Sequence, residues 1–321
     1  NAAATGELPI LVGTRSAVWA SLPRLELVVV DEEHDPSYKQ QDGFRYSARD
    51  IALVRAQAAR IPVVLGSATP ALESLANVER GKYRRLVIQA RAGAALQPTI
   101  ELLDVRGQDL RGGLSAALVA AMQVHLDRGE QVLLFLNRRG YSPLLMCRHC
   151  GTPQRCDHCD AFLVYHKSDD SAHCHHCDRT WSRGRRLPCC DAPDVALMGI
   201  GTERLEETVA ELFPSARLCR VDRDTARSKL TLRDMLAAIA AREVDIVIGT
   251  QMLAKGLDFA AVTLVGVVDT DSRLYSLDFR AEERLAQLLV QVAGRAGRAQ
   301  APGRVVVQTF NPHHPTLRQI I

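Results

Sequence analysis

Leu27-Val28-Val29-Val30-Asp31-Glu32-Glu33-His34 is the stretch from which the rest of the chain can be read. An unbroken apolar run suits a strand buried on both faces, as in a parallel sheet. The acid groups after it are then delivered to the strand's C-terminal end. At such an edge the first carboxylate can hold Mg²⁺ through water, and the second can orient a water against a γ-phosphate. The same letters also fit a solvated acidic turn, so the other segments decide between the two.

Three further segments stand out, two of them after apolar runs. Gly66-Ser67-Ala68-Thr69-Pro70 follows the apolar run Val63-Val64-Leu65, and Gly249-Thr250-Gln251 follows Ile246-Val247-Ile248. Gln291-Val292-Ala293-Gly294-Arg295-Ala296-Gly297-Arg298 closes a helical stretch that runs from Phe279 to Val290. Patterning predicts strands at 9–12, 26–31, 62–66, 131–136, 217–221, 244–248, 263–268 and 303–309. It predicts helices at 47–60, 71–80, 115–128, 202–212, 230–242 and 279–293. Strands alternating with helices imply βαβ units and parallel sheets, an α/β fold. The polar stretch 107–113 reads as a linker. The expected division is therefore 1–112 for a first lobe, 113–146 for the start of a second, 147–190 for a cysteine-rich insert and 191–321 for the remainder of the second lobe.

With 321 residues, 47% hydrophobic and 24% charged, the chain is globular and long enough for two domains. The net charge is only +3, so a nucleic-acid partner must be argued from local basic surface instead of bulk charge. No apolar run reaches the length of about 18 residues that a membrane span needs, and no secretory signal precedes the first strand. Eight of the nine cysteines lie between Cys147 and Cys190. Without a secretory signal that clustering reads as metal ligation in a reducing, cytoplasmic compartment.

Cys147-x-x-Cys150, Cys156-x-x-Cys159 and Cys174-x-x-Cys177 are three knuckles, each able to present two thiolates to one ion. Tetrahedral zinc needs two such pairs, so three knuckles plus Cys189-Cys190 point to two Zn²⁺ ions. A short polar segment cannot fold on apolar burial alone, and metal binding would supply its folding energy. The adjacent Cys189 and Cys190 leave two options. Both ligate, or one does and His149, His158 or His173 completes the site. Cys219, alone after a strand, reads as a buried small apolar residue.

In their order, the segments at Asp31, Gly66, Gly249 and Gln291 resemble motifs II, III, V and VI of superfamily 2 nucleic-acid helicases. A narrower resemblance follows from two other stretches. Asp31 to His34 runs into Asp35-Pro36-Ser37-Tyr38-Lys39-Gln40-Gln41 and Arg45-Tyr46-Ser47-Ala48-Arg49-Asp50, and Leu136-Asn137-Arg138-Arg139-Gly140-Tyr141 runs into the cysteine-rich insert. Both resemble the primosomal protein N′ (PriA) family of bacterial replication-restart helicases. The resemblance implies two RecA-like parallel-sheet lobes, the first incomplete, with a zinc-binding insert in the second. It implies ATP-driven 3′ to 5′ unwinding of DNA at stalled forks, with ATP, Mg²⁺ and two Zn²⁺. It also implies DNA, other primosome proteins and single-stranded-DNA-binding protein as partners. In that family the first and last cysteine pairs share one zinc and the middle two pairs share the other. A C-P-x-C pattern set on Cys190 would place Leu187 at the first cysteine position, with Cys189 as its substitute. No G-x-x-x-x-G-K-[ST] loop occurs, so the expectation is that it lies upstream and that this stretch alone does not turn over ATP.

By the same resemblance Asp31 holds Mg²⁺, Glu32 positions the attacking water, and His34 couples the nucleotide site to Ser67 and Thr69. Gly66, Gly256, Asp258 and Gln291 belong with the nucleotide. Arg295 and Arg298 are guanidiniums that reach one phosphate across the inter-lobe cleft. Tyr38, Phe44 and Tyr46, flanked by Lys39, Arg45 and Arg49, suit base stacking with phosphate contact, or else packing against the first lobe. Arg138, Arg139, Thr250, Gln251 and Lys255 suit the DNA backbone. Arg280-Ala281-x-Glu283-Arg284 is either the family's lead into the last motif or an exposed charged helix face. A second class of function, a zinc-stabilised module that binds DNA or a protein partner without hydrolysing ATP, fits the same cysteine pattern.

Overall fold

The structure is a computed structural model. It describes residues 2–88, 98–136, 144–159, 161–166, 169–182, 189–190, 195–198, 201–222, 224–225, 229–250, 253, 261–276, 278–294, 296 and 303–321. Two compact units divide the chain, Asn1–Val87 and Ile88–Ile321.

In the first unit, β1 (Val28–Val30) and β2 (Val63–Leu65) pair in parallel, joined by the helix Ala48–Ala59. Ser47 caps that helix by accepting the Asp50 N–H, which leaves one orphan donor fewer at its start. Ala48, Ala52 and Ala56 form its buried stripe at helical spacing, next to Val30. Val29 and Val64, pointing the other way, are exposed. The strand expected at 9–12 is not formed among the described residues, and Ile10 and Val12 lie exposed there.

The second unit is built on six parallel strands in the order β10-β11-β4-β12-β13-β3. They are β3 (Thr99–Asp104), β4 (Gln131–Leu136), β10 (Leu218–Val221), β11 (Ile246–Gly249), β12 (Val262–Val268) and β13 (Arg304–Thr309). Every residue of β4, β11 and β12 is buried, the pattern of a sheet covered on both faces. Leu133, Phe135, Val247 and Val265 face Leu285, Leu289 and Val292 of the helix Ala281–Ala293. Val132, Leu134, Ile248 and Leu264 face Leu118 and Met122 of the helix Ala116–Asp127, and Leu205 and Val209 of the helix Thr202–Leu212. This alternation by single residues is the strand period of two carried into a doubly wound core.

β3 changes the expected organisation. Residues 99–104 fell in the first lobe on the sequence reading and were given no strand. They pair in parallel with β13 at the edge of the second unit's sheet. The compact division accordingly falls at Val87/Ile88, upstream of the stretch 107–113. Backbone pairing to a strand some two hundred residues away (|i−j| = 203 for Arg304 and Glu101) leaves no local signal.

The insert adds a five-stranded antiparallel sheet in the order β8-β7-β6-β5-β9. Its strands are β5 (Leu144–Cys147), β6 (Val164–His166), β7 (Ser171–His173), β8 (Thr180–Ser182) and β9 (Val195–Met198). Among the described residues no helix is long and apolar enough to cross a membrane.

Candidate functional site

β1 ends at Val30, and the chain turns through Asp31–His34 beside the end of β2. Gly66 N–H donates to the Val30 carbonyl at 2.8 Å and Glu33 N–H to the Gly66 carbonyl at 3.0 Å, lacing the two strand ends together. Glu32 takes a left-handed backbone (φ 48°), a conformation that costs a non-glycine residue energy and tends to be kept at working sites. His34 Nδ1 lies 2.7 Å from Ser67 Oγ and 3.5 Å from Glu32 Oε2, and its Nε2 lies 3.5 Å from Thr69 Oγ1. Glu32, His34, Ser67 and Thr69 therefore form one contact set. Asp31 Oδ1 accepts the Glu32 N–H at 3.0 Å. A Cβ at Gly66 would stand 3.4 Å from that oxygen, so the glycine keeps room around the carboxylate.

Glu33, to which the sequence reading gave no role, is buried to 1% side-chain exposure. Its Oε1 accepts the Ala71 N–H at 2.7 Å and its Oε2 accepts from Arg49 Nη1 at 3.0 Å. Arg49 is thus a strut at the foot of the loop that follows and, unlike the exposed Lys39 and Arg45, is not presented to a phosphate. Burial alone would make Arg49 easier to deprotonate, but its bonds to Glu33 and Asp50 outweigh that and push its pKa up.

The loop itself carries the aromatics. Tyr38 O–H donates to the Asp31 carbonyl at 2.7 Å, bracing the acidic turn. Burial, then the Asp31, Asp35 and Glu32 carboxylates, pushes its phenol up, so it stays a protonated donor. Phe44, 76% exposed, stacks on Tyr46 with ring centroids 6.0 Å apart. Trp19 joins them, edge-on to Tyr46 at 5.2 Å and 6.4 Å from Phe44, and is itself half exposed. The sequence reading missed Trp19, which lies outside the motif-bearing stretches. It is placed by cations: Arg15 Nη1 donates to the Ser37 and Lys39 carbonyls at 3.1 and 3.2 Å, and Arg55 donates to the carbonyls of Val18 and Ala20.

In the second unit Thr250 follows β11, partly buried, its carbonyl accepting the Leu253 N–H at 2.9 Å. Gln291 sits half-buried on the helix Ala281–Ala293. Arg138, Arg139, Gln251, Lys255, Gly256, Asp258, Arg295 and Arg298 lie outside the described residues. Arg284 pairs with Asp278 and Arg280 with Glu283, so the charges leading into the last motif are used within their own segment. Cys219 is half-buried against the core, and burial pushes its thiol up.

The eight clustered cysteines form two groups, Cys147, Cys150, Cys189 and Cys190, and Cys156, Cys159, Cys174 and Cys177. In each, the four sulfurs lie within 4.8 Å of one another. A tetrahedron with zinc–sulfur bonds of about 2.3 Å puts its sulfurs about 3.8 Å apart. The structure has 3.7 Å for Cys147–Cys190, 3.9 Å for Cys189–Cys190, 3.6 Å for Cys156–Cys177 and 3.3 Å for Cys159–Cys174. These spacings fit thiolates around zinc and are far from the roughly 2.05 Å of a disulfide. Both Cys189 and Cys190 fall in the outer group. His173 is turned instead to Asp169 and Ser171. In the inner group desolvation pushes the Cys174 thiol up, but the N–H groups of Cys177 and His176 and the neighbouring sulfurs outweigh it and bring it to about 6.

The outer group is tied to the parallel sheet. Asn311 Nδ2 donates to the Gly151 carbonyl at 3.1 Å and to Asp271 Oδ1 at 3.0 Å. Asp271 also accepts from Thr309 Oγ1 at 2.9 Å and from the Phe310 N–H at 3.0 Å. Gly151 (φ 73°) lies so close to β13 that an added Cβ would stand 2.3 Å from the Phe310 carbonyl oxygen.

Comparison with known proteins agrees with this geometry. Residues 156–180 match the family described as the PriA DNA helicase Cys-rich region domain, and residues 201–300 match the helicase conserved C-terminal domain. The replication restart protein PriA of Haemophilus influenzae is 48% identical over 319 residues, 99% of this chain and 44% of that protein. PriA of Bacillus subtilis is 42% identical over 316 residues, 97% of this chain and 39% of its own length. PriA of Treponema pallidum is 42% identical over 308 residues, covering 96% and 46%. The chain thus spans less than half the length of these relatives.

Proposed function

The chain belongs to the PriA family of replication restart proteins, and we propose that it is the part of an ATP-dependent 3′ to 5′ DNA helicase that carries the water-activating acids, the strand-sensing loop and the zinc insert. The observation that supports this best is the contact set at the ends of β1 and β2. Asp31 would hold Mg²⁺, which neutralises phosphate charge when bound. Glu32 would orient the attacking water, and His34 would relay the state of the site to Ser67 and Thr69 through its two ring nitrogens. Phe44, Tyr46 and Trp19 would stack single-stranded bases while Lys39 and Arg45 meet phosphates. Tyr38, bonded to the Asp31 backbone, would connect that platform to the acids. Thr250, Gln251, Lys255, Arg138 and Arg139 would follow the DNA backbone. Gly66, Gly256, Asp258, Gln291, Arg295 and Arg298 would serve the nucleotide. The sites of action would be stalled forks in the cytoplasm, in company with other primosome proteins and single-stranded-DNA-binding protein. The units Asn1–Val87 and Ile88–Ile321 would then contribute to the two motor lobes.

Glu32→Gln in the full-length protein tests the central assignment. The amide keeps the shape and loses the base, so nucleotide binding should persist while kcat falls roughly 10²-fold or more. ATP turnover equal to the parent's would overturn it.

A further inference from the structure

Glu33 lies between the two residues assigned to water activation and relay, yet its own side chain is buried. It makes two connections that no other residue of the acidic turn makes. One oxygen accepts the Ala71 N–H at 2.7 Å, just past the Gly66–Pro70 segment. The other holds the Arg49 guanidinium at 3.0 Å. Arg49 lies in the first turn of the helix Ala48–Ala59, directly after the loop that presents Phe44 and Tyr46. That loop is closed at its base by the Lys39–Ser47 bridge and by the Gln40 N–H donating to the Tyr46 carbonyl at 2.8 Å. Arg49 thus stands where the closed base of the loop meets the start of the helix.

The ion pair is worth attention because of where it is. Glu33 is 1% and Arg49 17% exposed at the side chain, so the charges meet largely out of water. There, breaking the pair leaves an uncompensated buried charge. The pair therefore holds one geometry tightly and resists intermediate ones. Arg49 also bonds Asp50 Oδ1 at 3.1 Å, which gives the guanidinium a second anchor, on its own helix, beside the one on the acidic turn.

We propose that Glu33 is a positioning residue that couples the aromatic loop to ATP hydrolysis, through Arg49 on one side and Ala71 on the other. Glu33 touches no reacting atom. It ties the acidic turn to the Ala71 end of the Gly66–Pro70 segment, and the Arg49 link makes that tie respond to the loop. The inference rests on the helicase reading above.

The test uses the full-length protein and ATP turnover with and without single-stranded DNA. Glu33→Gln keeps an oxygen for the Ala71 N–H and removes the charge that holds Arg49. DNA-free turnover should stay near the parent's, while stimulation by DNA falls roughly 5-fold or more, the scale of a coupling between sites. Arg49→Gln should lose stimulation in the same way, and the double variant should be no worse than either, since both cut one link. Arg49→Lys, which keeps a charge, should retain part of the stimulation, and it carries the test should Glu33→Gln not fold. Full stimulation in Glu33→Gln or Arg49→Lys behaving as Arg49→Gln would overturn the proposal, as would basal and stimulated turnover falling in step. A parent protein whose ATP turnover ignores DNA would instead overturn the helicase reading itself.

Discussion

The two cysteine groups use the same ligands and sit in one insert, yet they are built for different ends. The inner group closes a local unit. Cys156 and Cys159 are joined to Cys174 and Cys177 through the β6–β7 hairpin, and Leu163, Tyr165, Ala172 and Trp181 pack around them in a core of their own. The outer group joins parts distant in sequence, Cys147 and Cys190 being 43 residues apart. Its knuckle is fastened to β13 by Gly151, Asn311 and Asp271. A metal held by the inner group would fold the ribbon, and one held by the outer group would fix the ribbon to the parallel sheet. Identical chemistry acquires different roles from what each knuckle is packed against.

The largest expected effect separates the two directly. Cys174→Ser should release one zinc and open the ribbon, because a structural zinc supplies apparent folding energy of about 10–16 kcal/mol to a segment with little core. Cys190→Ser should also release one zinc but leave residues 164–182 protected. Zinc content with amide exchange across those residues reads both outcomes, and equal loss of protection in the two variants would erase the distinction. A smaller effect is expected at Asp271. Asp271→Ala strips three donors of a buried acceptor, costing roughly 3 kcal/mol, with Asp271→Asn milder because one oxygen remains. Denaturant unfolding should show that loss in the parallel-sheet unit, with the inner zinc retained. Loss of the inner zinc in that variant would mean the two groups are not independent. Smallest is Gly151→Ala, which meets both a positive φ and the Phe310 carbonyl and should cost about 1–3 kcal/mol. Zinc should be held less tightly by the outer group alone, as read by stepwise chelator extraction. If the inner group loosens equally, the fastening to β13 is not specific to the outer one.

Much of the fold was legible because its signals are local. Apolar runs of strand length gave β1, β2, β4, β10, β11, β12 and β13, and helical spacing gave the helices at 48–59, 72–79, 116–127, 202–212, 229–240 and 281–293 within a few residues. The misses have physical causes. β3 mixes polar and apolar residues and earns its place only by pairing with β13 at an edge. The strand expected at 9–12 had the right residues, but strands form by pairing, and composition does not supply a neighbour. Within the candidate site, Asp31, Glu32 and His34 stood out by their order after a strand. Trp19 did not, because nothing beside it in sequence points to Phe44 and Tyr46.

By itself the sequence determined the α/β class, the acidic residues after an apolar run, the aromatic stretch and three C-x-x-C knuckles with Cys189-Cys190 after them, since each depends on spacing along the chain. Only the tertiary structure decided which residues those features meet. It grouped Cys189 with Cys190 as well as with Cys147 and Cys150, and turned Arg49 from a candidate phosphate contact into the partner of Glu33. It set Trp19 beside the loop and moved the unit division to Val87/Ile88. The reason is the same in each case. Burial and partnership belong to pairs of residues brought together from afar, and their energies are settled by what surrounds the pair, not by the order of the letters.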